Sequence, residues 1–274
     1  EEMDLPLRFE DRTRVRPELD FSFNGSMRPY QAEAVGAVLS RRMGTLAAPT
    51  GSGKTVMALA VIARRRQPAL VVVHTKELLN QWISAVERFL GIPKSEIGVI
   101  GGGKHTVGPG ITISIINSLY KCAPNVVPYI GHVVVDECHR TPSRTFTEAV
   151  SQFDARFVTG LSATPWRRDR LGRLIYWALG DLVHKVEPGV LQRSGDILRA
   201  AVKWRRTSFE TTHDPSEEYS RMLSELTADP GRNEFIARDV ATEVKRNPGI
   251  VLVLSDRKAH VEAGPRRRVP PKQK

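Results

Sequence analysis

The feature that most constrains the fold of this chain is the octapeptide at residues 48–55, Ala-Pro-Thr-Gly-Ser-Gly-Lys-Thr. It follows a short apolar stretch and precedes a helix-forming run. Its glycines let backbone N–H groups turn toward phosphate oxygens, and the N-terminus of the following helix adds a partial positive charge. The pattern predicts a phosphate-binding loop, in which Lys54 reaches the β- and γ-phosphates and the Thr55 hydroxyl holds Mg²⁺. Ala48 replaces the usual first glycine. The alternative is a flexible surface turn.

A second motif follows three valines at residues 133–135, which predict a strand buried on both faces, as in a parallel sheet. Asp136 and Glu137 come directly after it, where ligands bind in open α/β sheets. We expect Asp136 to hold Mg²⁺, directly or through water, and Glu137 to orient and deprotonate the attacking water. A solvated acidic turn is the alternative, and the upstream phosphate loop makes it the weaker one.

A third signal, Leu-Ser-Ala-Thr-Pro at residues 161–165, follows an apolar strand. In this order the three segments resemble motifs I, II and III of superfamily 2 helicases. More narrowly, they resemble the XPB-like and UvsW-like DNA helicases and the translocase subunits of restriction systems. Three more segments extend the resemblance over residues 26–262: residues 28–31 resemble the adenine-reading segment, residues 73–82 motif Ia, and residues 251–257 motif IV, the first strand of a second motor lobe.

The resemblance implies a role for each matching residue. The nucleotide is expected at Arg28, Tyr30, Gln31, Gly51, Ser52, Gly53, Lys54 and Thr55. Catalysis is assigned to Glu137, Asp136 and Lys54, with Mg²⁺ held by Thr55 and Asp136. Coupling to nucleic acid is assigned to His139, Ser162 and Thr164, and strand contact to Thr75, Lys76 and Gln81. Turn caps before Pro165, a satisfied turn histidine and a solvated helix start remain open alternatives for these last two groups.

The periodicity predicts an α/β fold, because short apolar strands alternate with amphipathic helices; the resemblance makes it a RecA-like parallel sheet with helices on both faces. Residues 1–25 are expected as a loose lead-in, 26–185 as the ATP-binding lobe and 186–248 as a connector with strand-like fragments and then charged helices. Residues 249–274 are expected as the start of a second lobe ending in a basic tail. The glycine-rich stretch at 101–104 is interpreted as a turn, since no Lys-Thr pair or helix follows it.

Lysine and arginine exceed acidic residues by 41 to 30, a net charge of +11 that favours polyanionic partners, with DNA preferred over RNA by the resemblance. The two cysteines suggest no disulfide framework. No apolar run approaches the roughly 18 residues of a membrane span, and the acidic N-terminus does not resemble a secretory signal. A reduced, cytoplasmic compartment is therefore expected, and the absence of an initiator Met indicates processing or a chain boundary.

The later motifs of the resembled family, including the arginine that reaches across the lobe cleft to the γ-phosphate, have no match here. Such an arginine is worth about 10³–10⁵ in rate in related hydrolases. The sequence therefore leaves open an ATP-driven motor lobe that needs a second lobe or subunit in trans, a non-motor ATP- and DNA-binding module, and a restriction translocase part. We expect this chain alone to hydrolyse ATP weakly. The arginines clustered at 167–173 fit a nucleic-acid contact or a solvated helix face.

Overall fold

The computed structural model describes residues 10–140, 144–163, 172–195, 197, 201–246 and 249–263. The chain divides into two compact units, residues 1–199 and 200–274. The helices of the first unit are α1 (Pro29–Leu39), α2 (Lys54–Arg65), α3 (Lys76–Leu90), α4 (Ile116–Leu119), α5 (Ala123–Val126), α6 (Arg144–Val150), α7 (Gly172–Leu179) and α8 (Pro188–Arg193). Its strands are β1 (Met43–Ala47), β2 (Ala69–Val73), β3 (Gly98–Gly101), β4 (Lys104–His105), β5 (Ile111–Ile115), β6 (His132–Val135), β7 (Phe157–Ser162) and β8 (Leu182–Lys185).

The eight strands form one sheet in the order β4-β3-β5-β2-β6-β7-β1-β8. Every neighbouring pair is parallel except β3 and β4, which form a short antiparallel hairpin. The glycines at 101–103 make the turn of that hairpin, each with a positive φ, so the predicted turn is confirmed. The predicted parallel α/β architecture is also confirmed, while β8 was not anticipated.

Helices cover both faces of the sheet, so the central strands are buried on both sides. Alternate residues of β2 show this: Val71 and Val73 pack with α1, α2 and α3, whereas Leu70 and Val72 pack with α4, α5 and α6 on the opposite face. Strand β6 is likewise buried along its whole length. The sheet is thus packed between two apolar layers, and the loops at its carboxyl edge extend from buried strands.

The lead-in is bound to the first unit, contrary to the expectation of a loose segment. Residues 10–25 form no helix or strand, but Arg14 donates two 2.8 Å hydrogen bonds to the Asp154 carboxylate. Phe23 stacks on Phe89 of α3 with 6.3 Å between ring centroids, and Phe21 packs against the same apolar layer. The alternating Leu19, Phe21 and Phe23 are the sequence signal for this packing, and the mixed charge around them concealed it.

The second unit contains α9 (Tyr219–Ala228), α10 (Pro230–Arg246) and α11 (Lys258–Ala263), which agrees with the charged helices expected there. The strand expected at residues 251–254 is not formed: these residues are irregular and Ile250 is fully exposed. A strand needs a partner, and residues 201–246 and 249–263 contain no other strand. The strand-like fragments expected at 186–208 are also wrong, because Pro188–Arg193 is helical and residues 201–208 have no regular structure.

Candidate nucleotide-binding site

The predicted site segments leave the carboxyl ends of four adjacent parallel strands, β2, β6, β7 and β1. The phosphate loop follows β1, the acidic pair follows β6, Ser162 ends β7, and Thr75 follows β2 by two residues. Parallel strands bring their carboxyl ends to one edge of the sheet, where open α/β folds bind ligands. The topology therefore gathers these segments at one edge, although they are up to 114 residues apart, from Ala48 to Ser162.

The phosphate loop has the backbone conformation that its glycines allow. Gly51 and Gly53 have φ values of 85° and 82°, and Gly53 is the N-terminal cap of α2. The φ of Ala48 is not in the positive range, so this position does not require a glycine. Lys54 donates from Nζ to the Ala48 carbonyl at 3.1 Å, which folds its side chain back over the loop. The backbone N–H of Ser52, one of those expected to face phosphate, donates to the Pro49 carbonyl within the loop.

The segment before α1 and the phosphate loop are joined through one carbonyl. Tyr30 donates its hydroxyl to the Ser52 carbonyl at 3.1 Å, and Gln31 donates Nε2 to the same oxygen at 2.8 Å. The Gln31 side-chain oxygen accepts from the Arg28 amide at 2.9 Å, and the Arg28 guanidinium lies 3.4 Å from the Tyr30 hydroxyl. The structure thus brings the three predicted adenine residues against the loop, where Tyr30 and Gln31 also support its backbone.

The acidic pair adopts a constrained geometry. Glu137 has a φ of 49°, one of two positive values among the described non-glycine residues, a conformation that costs about 1–2 kcal/mol. Its amide donates to Oδ1 of Asp136 at 2.9 Å, and Trp82 donates Nε1 to Oδ2 at 2.8 Å. Burial raises the pKa of Asp136, and the Trp82 hydrogen bond opposes that shift. Backbone strain at Glu137, directly beside the buried Asp136 carboxylate, points to function.

The residues after the acidic pair contact the end of β7. Nδ1 of His139 lies 3.1 Å from the Ser162 hydroxyl and 3.3 Å from Oε2 of Glu137. The second contact lacks hydrogen-bond geometry, and Oε2 of Glu137 is buried with no hydrogen-bond partner among the described residues. Burial also raises the pKa of Cys138 to about 12, so its thiol is neutral. Thr164 and the arginines at 167, 168 and 170 lie outside the described residues.

The predicted strand-contact residues lie at the start of α3. Lys76 and Gln81 are exposed, while the Thr75 hydroxyl caps the helix by accepting from the Leu78 amide at 3.3 Å. Thr75 therefore has a structural role, and its hydroxyl proton can still be donated to a phosphate. These three residues lie within the first two turns of α3 and the residue before it. This end of α3 is at the same edge of the sheet as the phosphate loop.

Sequence reasoning missed two residues that organise this region. Trp82 was included only in the segment that resembles motif Ia, with no role of its own, yet it contacts the carboxylate expected to hold Mg²⁺. Arg65, near the C-terminus of α2, is buried and donates to His132, Thr159 and the carbonyls that end α1. The signal for Trp82 was its register with Leu79 and Val86, which marks the buried helix face; no sequence signal identified Arg65.

The residues present fit a magnesium–nucleotide complex. Asp136 is a buried carboxylate whose two oxygens accept only neutral N–H donors among the described residues, so its charge is uncompensated by direct contact. The hydroxyl of Ser52 is buried without a hydrogen-bond partner in the described part of the chain. A side-chain carboxylate and a threonine hydroxyl are the oxygen ligands that Mg²⁺ uses beside phosphates. Thr55 and Asp136 would hold the ion.

Comparison with known proteins identifies the family. The family described as type III restriction enzyme, res subunit, matches residues 24–167. The chain is 30% identical over 200 residues to the DNA 3'-5' translocase XPB2 of Sulfurisphaera tokodaii, covering 73% of this chain and 44% of that protein. It is 28% identical over 160 residues to the DNA 3'-5' helicase XPB of Kineococcus radiotolerans, covering 55% and 28%. The chain thus spans less than half the length of these relatives.

Solved structures show the same fold. The UvsW helicase of bacteriophage T4 superposes with a TM-score of 0.52 at 20% sequence identity, covering 60% of this chain and 62% of that chain. None of the described helices is long and apolar enough to cross a membrane.

Proposed function

Because this chain belongs to the type III restriction enzyme, res subunit family, within the XPB-like branch of superfamily 2 helicases, we propose that it is the ATP-binding lobe of a DNA translocase. In the complete motor, this lobe couples ATP hydrolysis to movement along nucleic acid. A second lobe or subunit supplies the arginine that residues 1–274 do not match. The proposal rests on the family assignment and on one structural observation.

That observation is the convergence of the phosphate loop, the strained acidic pair and the end of β7 on one edge of the sheet. Thr55 and Asp136 would hold Mg²⁺, which would neutralise charge on the phosphates when bound. The chain supplies the remaining functions. Lys54 leaves the Ala48 carbonyl and pairs with the γ-phosphate, and Glu137 accepts a proton from water through its buried Oε2, which has no hydrogen-bond donor among the described residues.

The link to nucleic acid follows from position and charge. Lys76 and Gln81 are exposed on α3, and the chain carries a net charge of +11. Both relatives named above are described as DNA proteins, which favours DNA over RNA. His139 would couple the nucleotide site to the nucleic acid, and its contacts with Glu137 on one side and Ser162 on the other support this role.

Calorimetry with Mg²⁺ and ATP tests the nucleotide site. Lys54→Ala removes a charge-assisted contact worth about 1.5–3 kcal/mol, so the Kd should rise about 10- to 150-fold. Glu137→Gln removes the base and leaves the phosphate loop intact, so the Kd should be unchanged while turnover stops. Lys94→Ala, which removes an exposed lysine paired with Glu87, is the control and should match wild type. Equal affinity of wild type and Lys54→Ala would refute the assignment.

The second candidate function is a non-motor module that binds ATP and DNA without useful turnover. This candidate predicts slow hydrolysis and little stimulation by DNA for these 274 residues on their own, since none of them matches the trans-lobe arginine. A separately supplied second lobe should restore DNA-stimulated turnover if the chain is a motor lobe, and should leave the rate unchanged if it is a non-motor module.

We further propose a reducing, cytoplasmic setting, since Cys122 and Cys138 are both free thiols.

A further inference from the structure

Trp82 joins α3 to the acidic pair through a polar group. Its side chain is 1% exposed and lies on the buried face of α3 between Leu79 and Val86. Its indole N–H donates to Oδ2 of Asp136 at 2.8 Å, across 54 residues of sequence. The apolar neighbours account for the burial of the ring, whereas the N–H is the part of this side chain that needs a polar partner once it is buried.

The Asp136 carboxylate is held by two donors. The Glu137 amide binds Oδ1 at 2.9 Å and Trp82 binds Oδ2 at 2.8 Å. Hydrogen bonds to both oxygens fix the plane of the carboxylate and therefore the direction of its free lone pairs. A backbone amide and an indole carry no positive charge, so they orient the anion without competing with a metal ion for it. Partners of this kind set the affinity of many metal sites.

We propose that Trp82 is a positioning residue for the metal ion of the nucleotide site, acting through the orientation of Asp136. This inference rests on the proposed function, because it assigns Asp136 to the magnesium–nucleotide complex. It also places the metal-orienting group on the helix whose exposed face carries Lys76 and Gln81. One rigid helix thereby presents the predicted strand contacts on one side and the support of the metal ligand on the other.

ADP binding measured by calorimetry, once with Mg²⁺ and once with EDTA, tests the inference on a quantity other than turnover. Trp82→Phe keeps an aromatic ring and removes the N–H. We expect about 10- to 100-fold weaker binding in Mg²⁺ and unchanged binding in EDTA. Val86→Ala is the matched control, since it removes packing from the same buried face of α3 and leaves the N–H in place; its ratio of the two affinities should equal that of wild type.

A second variant separates the hydrogen bond from ring volume. Incorporation of β-(3-benzothienyl)alanine at position 82 replaces the indole N–H by sulfur at nearly constant shape, so it retains the fold if Trp82→Phe does not. The same selective loss in Mg²⁺ is expected. Wild-type behaviour of this variant overturns the inference, as does an equal loss in Mg²⁺ and EDTA. Failure of wild type to bind ADP under either condition would instead refute the nucleotide site itself.

Discussion

Arg65 provides the sharpest test of how the first unit is held together. It lies near the C-terminus of α2, is 8% exposed, and has no carboxylate within ion-pair distance among the described residues. Its guanidinium donates to Nε2 of His132 at 2.9 Å and to the Thr159 hydroxyl at 3.0 Å. It also donates to the carbonyls of Val38 and Arg41, at 3.0 and 2.9 Å, where α1 ends. A cation at a helix C-terminus is favourable.

The expected magnitude follows from opposing contributions. Burial lowers the pKa of Arg65 from 12.5 to about 10, so burying the charge costs about 3 kcal/mol at neutral pH. Four hydrogen bonds from a charged donor contribute about 1.5–3 kcal/mol each. In Arg65→Met, His132 and Thr159 can still pair at 3.0 Å, and the Val38 carbonyl keeps the Arg41 amide. The Arg41 carbonyl loses its guanidinium donor. The hydrogen bonds exceed the cost of burial by about 3–9 kcal/mol. Because the other three acceptors or donors keep a partner, we expect a loss at the low end of this range, about 3 kcal/mol.

Thermal and urea unfolding measure this loss. For a unit of this size, about 3 kcal/mol lowers Tm by about 6–12 °C. Arg64→Met is the control, because Arg64 is the exposed neighbour on the same helix and its replacement should change stability by less than about 0.5 kcal/mol. If Arg65→Met is as stable as wild type, the apolar side chain fills the site as well as the guanidinium stabilises it, and the stabilising role of the Arg65 hydrogen bonds is refuted.

Three further results are expected. Burial, followed by the charge of Arg65, lowers the pKa of His132 well below 6.5. Below about pH 6.5 the unfolded chain therefore binds a proton that the folded chain does not, and the free energy of unfolding should fall by up to about 1.4 kcal/mol per pH unit. His132→Gln should flatten this pH dependence in urea titrations. Gly53→Ala places Cβ 2.5 Å from Nε2 of Gln31 at a φ of 82°, so it should weaken ATP binding, whereas Gly36→Ala, which meets no atom within 4 Å, should not. DNA affinity should fall steeply with salt, and Lys76→Ala should reduce the slope of log K against log salt by about 1 while Lys94→Ala leaves it unchanged; a flat dependence in wild type contradicts the electrostatic account.

The sequence by itself determined the fold class and the identity of the chemical groups. Glycines before Lys54 and acids after three valines are local patterns, because a loop conformation and a buried strand are each set by neighbouring residues. The same holds for α3, which runs to Leu90 and stops at Gly91 with a φ of 67°, as its glycine indicates. Tyr30 and Gln31 contact the phosphate loop, and the role of residues 28–31 in reading adenine stays a prediction.

Only the tertiary structure decided which distant groups meet. The Ser52 carbonyl accepts from Tyr30 and Gln31 because α1 packs against α2, the helix that follows the phosphate loop. Trp82 reaches Asp136 because β2 and β6 are neighbours in the sheet, an order that no local pattern specifies. The strand expected at 251–254 failed for the complementary reason. A helix satisfies its backbone hydrogen bonds within its own segment, but a strand requires a partner elsewhere in the chain. Local sequence can therefore specify the groups of this site, while the order of the strands sets the distances between them.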